Sequence, residues 1–401
     1  MLKAIKSTFV YITYYLCYLI PRKKKLWLYS SLNGRFIDNS KYLFLYANKH
    51  CKDVQHIWIS SSDETVKGLR SNGFKAFNTS SATAKKLSLT AGAFIYSSYI
   101  NTICNAAFTG GAFRFNLWHG IPLKKIEYDV HHGPLSYLYH PKNFSEKWKR
   151  FCSSPELIRR NDAVLTTSHQ LKKIFSSAFR LPEEKIFVGQ YPRLMPFAWN
   201  AQELKNHIEN TENAMFSDVI NNLKKFNEVI IYMPTWRDDN PNFIDEAIPD
   251  FKLLNKTCAE HNAVFILKLH INTIFTEDIS GYSNLLLLNN NLDMYPLLPY
   301  STILVTDYSS IFFDYALLNK KIVFYPFDLE IYKSKSRELY FDYGLITKDE
   351  IVANTFEQLL KILFDKQEIQ QQESSFKKYL NDEFDYDKEI NFIRQNVGLK
   401  A

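Results

Sequence analysis

The sequence predicts an α/β protein of two domains, each built on a parallel sheet, and three observations carry that prediction. The chain has 401 residues, more than one hydrophobic core ordinarily supports. Strand-like runs alternate with helical ones through most of its length, as βαβ units require. From about residue 192 to 225 the sequence is charged, Asn-rich and free of strand signals, which reads as the link between two such sheets.

The first element is not a strand. Phe9 to Pro21 reads FVYITYYLCYLIP, a mostly apolar run shorter than the roughly 20 residues a helix needs to cross a bilayer. No small-residue cleavage site follows, and Arg22-Lys23-Lys24-Lys25 lies on the wrong side for a signal peptide. Four tyrosines in the run, with Lys3 and Lys6 before it, predict that residues 1–25 form a helix lying in a lipid interface beside an anionic surface. The competing reading is a helix buried against the first domain.

Beyond it, strands are expected at Leu26–Tyr29, His56–Ser60, Ala93–Ser97, Arg114–Trp118, Val164–Thr167 and Lys185–Val188. Helices fit between most of them, one following Asp38-Asn39-Ser40 and one following Ser168, where polar residues suit a helix cap. Between Lys124 and Pro155 the periodicity fails, and loops of such length are usually functional. These elements make a first domain of residues 26–200. A second, residues 201–375, carries strands at Val229–Met233, Val264–Leu269, Leu285–Leu288, Ile303–Thr306 and Ile322–Tyr325. Charged helical sequence runs from Thr355 to the end.

Composition narrows the partners. The 49 basic residues exceed the 42 acidic ones, for a net charge of +7, which suits an anionic substrate or an anionic lipid surface. That excess is too weak to argue for nucleic acid, and no groove-reading or strand-binding motif is present. Five cysteines stand singly, without a CxxC pair, so neither a disulfide framework nor a zinc site is expected.

Ligands of open parallel sheets bind beyond the carboxyl ends of the strands, so the residues that follow each strand carry the chemistry. In the second half, EVIIYMPTWRDD delivers Trp236, Arg237 and the Asp238-Asp239 pair. AVFILKLH delivers Lys268 and His270, and STILVTDYSS delivers Thr306, Asp307, Ser309 and Ser310. Ser309-Ser310 opens a helical run whose free N–H groups and dipole favour a phosphate. Arg237 suits a two-pronged grip on phosphate oxygens, and His270 suits a hydrogen bond or proton to a leaving oxygen. Each has a plain structural alternative: a serine before a helix is most often a cap, and a histidine at a strand end is most often satisfied by backbone. Three such strand ends in one domain favour a site for a phosphorylated ligand. The first half offers FRFNLWHGIPLKK, with His119 at a strand end, Gly120 leaving room beside the ring, and Lys124 and Lys125 following. An imidazole there has the intrinsic pKa to take a proton from an alcohol near neutrality. His131, His132 and His140 match no metal-ligand spacing.

In order along the chain, LWHGIPLKKI, YMPTWRDD, LKLH, TDYSSIFFDY and YPFDLEIY, with GQYPR at Gly189–Arg193, resemble the signatures of the CDP-glycerol glycerophosphotransferases, including teichoic acid primases and polymerases and their ribitol-phosphate relatives. The resemblance spans roughly Leu26 to Leu345. It implies a GT-B-like fold, two Rossmann-like domains facing across a cleft, with the first holding the acceptor and the second the CDP-activated donor, and a C-terminal helix at residues 376–401 crossing back to the first. Carried over by position, it implies His119 as base, and His270, Arg237, Ser309 and Ser310 as donor-phosphate groups. Asp238, Lys268, Thr306, Asp307 and Asp314 fall in the same site. Where the family usually has proline after the second histidine, this chain has Ile271.

The reaction implied is in-line attack by an acceptor hydroxyl on the distal phosphorus of CDP-glycerol or CDP-ribitol, releasing CMP. No metal is required by this arrangement, and Asp238-Asp239 is the pair that would hold Mg²⁺ against the donor. The expected partners are a membrane-linked polyprenyl or lipid acceptor and an anionic membrane surface, at the cytoplasmic face of the cell membrane, with teichoic-acid-like or capsule polymer as product. Two alternatives differ in kind: a GT-B glycosyltransferase, which would release a nucleoside diphosphate, and a silent scaffold, which has no need of His119 and His270.

Overall fold

The computed structural model describes residues 2–133, 136–158, 161–212, 214–237, 239–289, 292–335, 338–365 and 376–400. It resolves into two compact units. The first comprises Met1–His119, Lys125–Met195 and Asn381–Ala401; the second comprises Gly120–Lys124 and Pro196–Leu380.

Among the described residues the first unit carries seven strands: β1 (Lys23–Ser30), β2 (Gln55–Ser60), β3 (Ala76–Asn78), β4 (Ala91–Tyr96), β5 (Phe113–Asn116), β6 (Ala163–Thr166) and β7 (Ile186–Val188). They lie in the order β3-β2-β1-β4-β5-β6-β7, and every pairing is parallel. The second unit carries β8 (Glu228–Met233), β9 (Ala263–Leu267), β10 (Leu285–Leu287), β11 (Ile303–Thr306), β12 (Lys321–Phe324) and β13 (Ile351–Val352), in the order β10-β9-β8-β11-β12-β13, again all parallel. Both sheets are doubly wound, with strand order turning back between β1 and β4 and between β8 and β11. The carboxyl ends at such a turning point are where ligands of open α/β sheets bind. Strands buried on both faces account for the near-continuous apolar runs: β4 and β9 are buried at every position. Local sequence misses β3 and β13 because three and two residues are too short for a periodicity.

The helix α1 (Leu2–Leu16), continued by a 3₁₀ turn at Cys17–Leu19, has two unlike faces. Ser7, Tyr14 and Cys17 are buried, while Ile5, Phe9, Ile12, Leu16 and Leu19 are exposed. The alternating spacing of four and three residues sets those five side chains in one apolar stripe. Among the described residues no helix is long and apolar enough to cross a membrane.

The second helix, α2 (Asp38–His50), begins one residue earlier than a polar cap at Asp38 would have it. Its N-cap is Ile37, without a side-chain capping bond. Asn39 and Ser40, both fully buried, bond to neighbouring loops instead. At the other end of the chain, the helix Asp387–Asn396 packs on the first sheet. The Phe392 ring lies 4.3 Å from that of Phe187 and 5.3 Å from that of Phe115, and Ile393 is buried. Glu389 Oε1 accepts from Gln190 N at 2.9 Å. Any Cβ at position 189 would collide with that carboxylate oxygen, so only glycine lets the helix approach so closely.

Candidate active site

Three neighbouring strands of the second sheet, β9, β8 and β11, end in the residues singled out from the sequence. Thr306 stands in register with Met233 and donates its hydroxyl to the Met233 carbonyl at 2.7 Å, tying the two strand ends together. Asp307 Oδ1 accepts from Thr235 N at 2.7 Å and from Tyr308 N. The carboxylate, fully buried, thereby locks the loop after β8 to the loop after β11.

Arg237 is only 3% exposed. Its guanidinium grips Asp328 in bidentate fashion, Nε at 2.7 Å and Nη2 at 2.8 Å, meets Asp307 Oδ2 at 2.8 Å and donates to the Thr235 carbonyl. Rings of Phe243, Tyr308 and Tyr332 surround it at 4.8 to 4.9 Å. Burial alone would lower its pKa, but the two carboxylates raise it beyond the ordinary arginine value, so the charge is permanent. The clamp on phosphate oxygens expected of Arg237 is thus, in this structure, a clamp on two carboxylates. One cation between two anions leaves this cluster net negative, so it offers a phosphate no net attraction.

The short helix Ile311–Tyr315 follows the β11 loop. Ser309 and Ser310 are half-buried, and the N-cap Ser310 makes no side-chain capping bond. The plain structural reading of this serine as a cap therefore does not describe it. His270 lies three residues beyond β9, exposed, with its ring stacked on Trp236 at 5.6 Å and Nδ1 accepting from Asn272 N at 3.2 Å. Lys268 donates to the Asn289 carbonyl at 2.8 Å. Asp314 is buried and accepts from the Tyr295 hydroxyl at 2.7 Å. Asp238 lies outside the described residues. Asp328, which braces Arg237, escapes a reading of strand ends because it stands 91 residues away. Its only local signal is its place in YPFDLEIY just past β12.

In the first unit, β5 stops at Asn116, two residues earlier than expected, because Trp118 turns into the left-handed region at φ +54 and Gly120 follows at φ +130. His119 between them is exposed. Its Nδ1 lies 3.0 Å from the Ser97 carbonyl. A carbonyl only accepts, so Nδ1 carries the hydrogen and Nε2 keeps its lone pair, the tautomer a general base needs. The ring reaches solvent from within dense protein surroundings. That loss of hydration lowers its pKa below the ordinary 6.5, partly opposed by Asp38 and the Ser97 carbonyl and assisted by Arg193. Near neutral pH the ring is therefore unprotonated. The rings of His131 and His140 stack at 4.2 Å.

The model of the CDP-glycerol:poly(glycerophosphate) glycerophosphotransferase family matches residues 12–389. The chain belongs to that family. Among its relatives, the chain is 26% identical over 372 residues to the teichoic acid glycerol-phosphate transferase of Staphylococcus aureus, covering 86% of this chain and 85% of that one. It is 27% identical over 338 residues to the teichoic acid poly(glycerol phosphate) polymerase of Staphylococcus epidermidis, covering 80% of this chain but 43% of that protein. Its fold is similar to that of the wall teichoic acid polymerase TagF, with a TM-score of 0.75 and 23% identity over 99% of this chain and 97% of that one. The architecture is GT-B-like, two parallel-sheet α/β units, as the motif order implies.

Proposed function

We propose that this glycerophosphotransferase moves glycerol phosphate, or ribitol phosphate, from its CDP-activated form to a hydroxyl of a membrane-linked polyprenyl or lipid acceptor in the synthesis of a teichoic-acid-like polymer. The observation that carries the reading is the gathering of His270, the Arg237–Asp307–Asp328 brace and Ser309-Ser310 at the turning point of the second sheet. The backbone N–H groups and hydroxyls at Ser309-Ser310 hold the donor's phosphates, and His270 hydrogen-bonds the bridging or leaving oxygen. Arg237 acts by fixing the two loops, not by touching the phosphate. His119 Nε2 takes the proton of the acceptor hydroxyl as its oxygen bonds to the distal phosphorus. The bond from that phosphorus to the CMP oxygen breaks, and CMP leaves with the electron pair.

The protein works peripherally at a membrane, on this reading at its cytoplasmic face. The exposed stripe of α1 supports it, as do Phe144 and Trp148, exposed on the helix Phe144–Ser153 that packs beside α1 through the stacked rings of Tyr11 and Phe151. Lys3, Lys6 and Lys23 to Lys25 supply charge for an anionic surface.

The test is CMP release from CDP-glycerol and CDP-ribitol, each with a lipid-linked acceptor. CMP from either supports the reading; a nucleoside diphosphate from a nucleotide sugar identifies a glycosyltransferase instead. His119→Ala is expected to cut turnover by roughly 10²–10⁴ while calorimetry finds donor affinity unchanged. The wild-type rate should rise with pH through an acid limb below 6.5, since the dense protein surroundings of the ring lower the His119 pKa. Near-normal turnover in His119→Ala, or lost donor binding in a folded protein, overturns the assignment.

A further inference from the structure

The loop that carries His119 is held in a conformation its own residues disfavour. Trp118 sits at φ +54, a region that bulky side chains rarely enter unless the surroundings over-determine it. Part of that restraint is local, since Asn116 Oδ1 accepts from Trp118 N at 2.9 Å and Asn116 Nδ2 donates to the Ser98 carbonyl at 3.0 Å. The rest comes from the first turn of α2. Asn39, fully buried, donates its amide nitrogen to the carbonyls of Leu117 at 3.3 Å and Trp118 at 2.9 Å. Its Oδ1 accepts from Arg193 N at 3.1 Å.

The same turn holds the partner of the imidazole. Ser40 N donates to Ser97 Oγ at 2.9 Å, and the Ser40 and Ser97 hydroxyls lie 2.7 Å apart. The carbonyl of that Ser97 receives the Nδ1 hydrogen of His119. Two consecutive residues of one helical turn thus fix both the backbone that presents the imidazole and the carbonyl that sets its tautomer. Asp38, the residue before them, pairs with Arg193 at 3.3 Å, and this pair supplies the charged groups facing the ring.

We infer that Asn39 is a positioning residue for the transfer, holding the Leu117–Trp118 carbonyls so that His119 Nε2 points where the acceptor's proton leaves. This rests on the reading of His119 as the base. Only a side-chain amide satisfies all three contacts, because two carbonyls need donors and one N–H needs an acceptor. Asn39→Asp keeps the shape and sets a carboxylate oxygen against two carbonyls. Asn39→Ala removes all three bonds.

The experiment is a double-mutant cycle with His119→Ala, read as turnover at saturating donor, with donor affinity by calorimetry as the check that each protein is folded. Asn39→Asp is expected to lower turnover about 10²-fold, the scale of a displacement near 1 Å in a reacting group, with donor affinity unchanged. In the His119→Ala background the same substitution should cost about threefold or less, since residues that act as one unit are not additive. Asn39→Ala, which introduces no charge, carries the same expectations and serves if the aspartate variant does not fold. An equal loss in both backgrounds, or wild-type turnover in folded Asn39→Asp and Asn39→Ala, overturns the positioning role while leaving the base in place. Wild-type turnover in His119→Ala alone defeats the base reading, and this inference with it.

Discussion

Replacing Arg237 by alanine would strand the fully buried carboxylate of Asp307 and the half-buried one of Asp328, paired with it at 2.8 and 2.7 Å. Losing one partner of a buried ion pair costs about 3–5 kcal/mol, because the remaining charge has no solvent to relax into. Arg237→Ala should therefore lower the unfolding free energy by that order, measured by urea denaturation. Arg237→Lys should rescue little of it, as an ammonium cannot reproduce the bidentate grip. Ser310→Ala is expected to do the opposite. Its hydroxyl makes no capping bond, so stability should change by less than about 0.5 kcal/mol while donor affinity falls several-fold. If Arg237→Ala is as stable as the wild type yet binds donor weakly, the arginine touches phosphate after all.

At the scale of elements, the helix Asp387–Asn396 shows how one carboxyl makes packing depend on pH. Glu389 is fully buried, and its Oε2 meets no hydrogen-bond partner among the described residues. Burial pushes its pKa up from 4.5 to about 8, against the opposing bond from Gln190 N. Below pH 4.5 the group is protonated in both folded and unfolded chains. Between 4.5 and 8 the unfolded chain releases the proton and the folded one keeps it, so stability falls as pH rises through that window, at up to about 1.4 kcal/mol per unit. The loss is complete above 8. Thermal melts at a series of pH values should show this descending component in the wild type and lack it in Glu389→Gln. An identical pH profile in both proteins would mean that the carboxyl is not held neutral.

For the whole molecule, the question is what covers the exposed stripe of α1. Phe9 is 64% and Leu19 79% exposed, and a side chain of this size gains roughly 1.5–3 kcal/mol when it leaves water. Phe9→Ser, Ile12→Ser and Leu16→Ser together should leave the fold intact, because the packed face uses Ser7, Tyr14 and Cys17. Sedimentation with anionic vesicles should fall by more than about tenfold, and the residual binding should weaken further with salt. Unchanged sedimentation would rule the stripe out as the membrane contact.

The strands other than β3 and β13 were legible because each is a local run of apolar residues bounded by polar ones, and runs such as Ile303–Thr306 sit where the hydrophobicity placed them. The strand-end residues His119, Arg237, His270 and Ser309-Ser310 followed from the same alternation, since in a parallel sheet the carboxyl end is known once the strand is. The sequence by itself determined those two sheets, the family and the chemical inventory at their edges, all of which depend on neighbours in the chain. Only the tertiary structure decided their partners. Asp328 reaches Arg237 across 91 residues, Asn39 reaches Trp118 across 79, and Glu389 reaches Gln190 across 199. A side chain's task is set by which buried donors and acceptors must be satisfied around it, and folding alone brings those partners together.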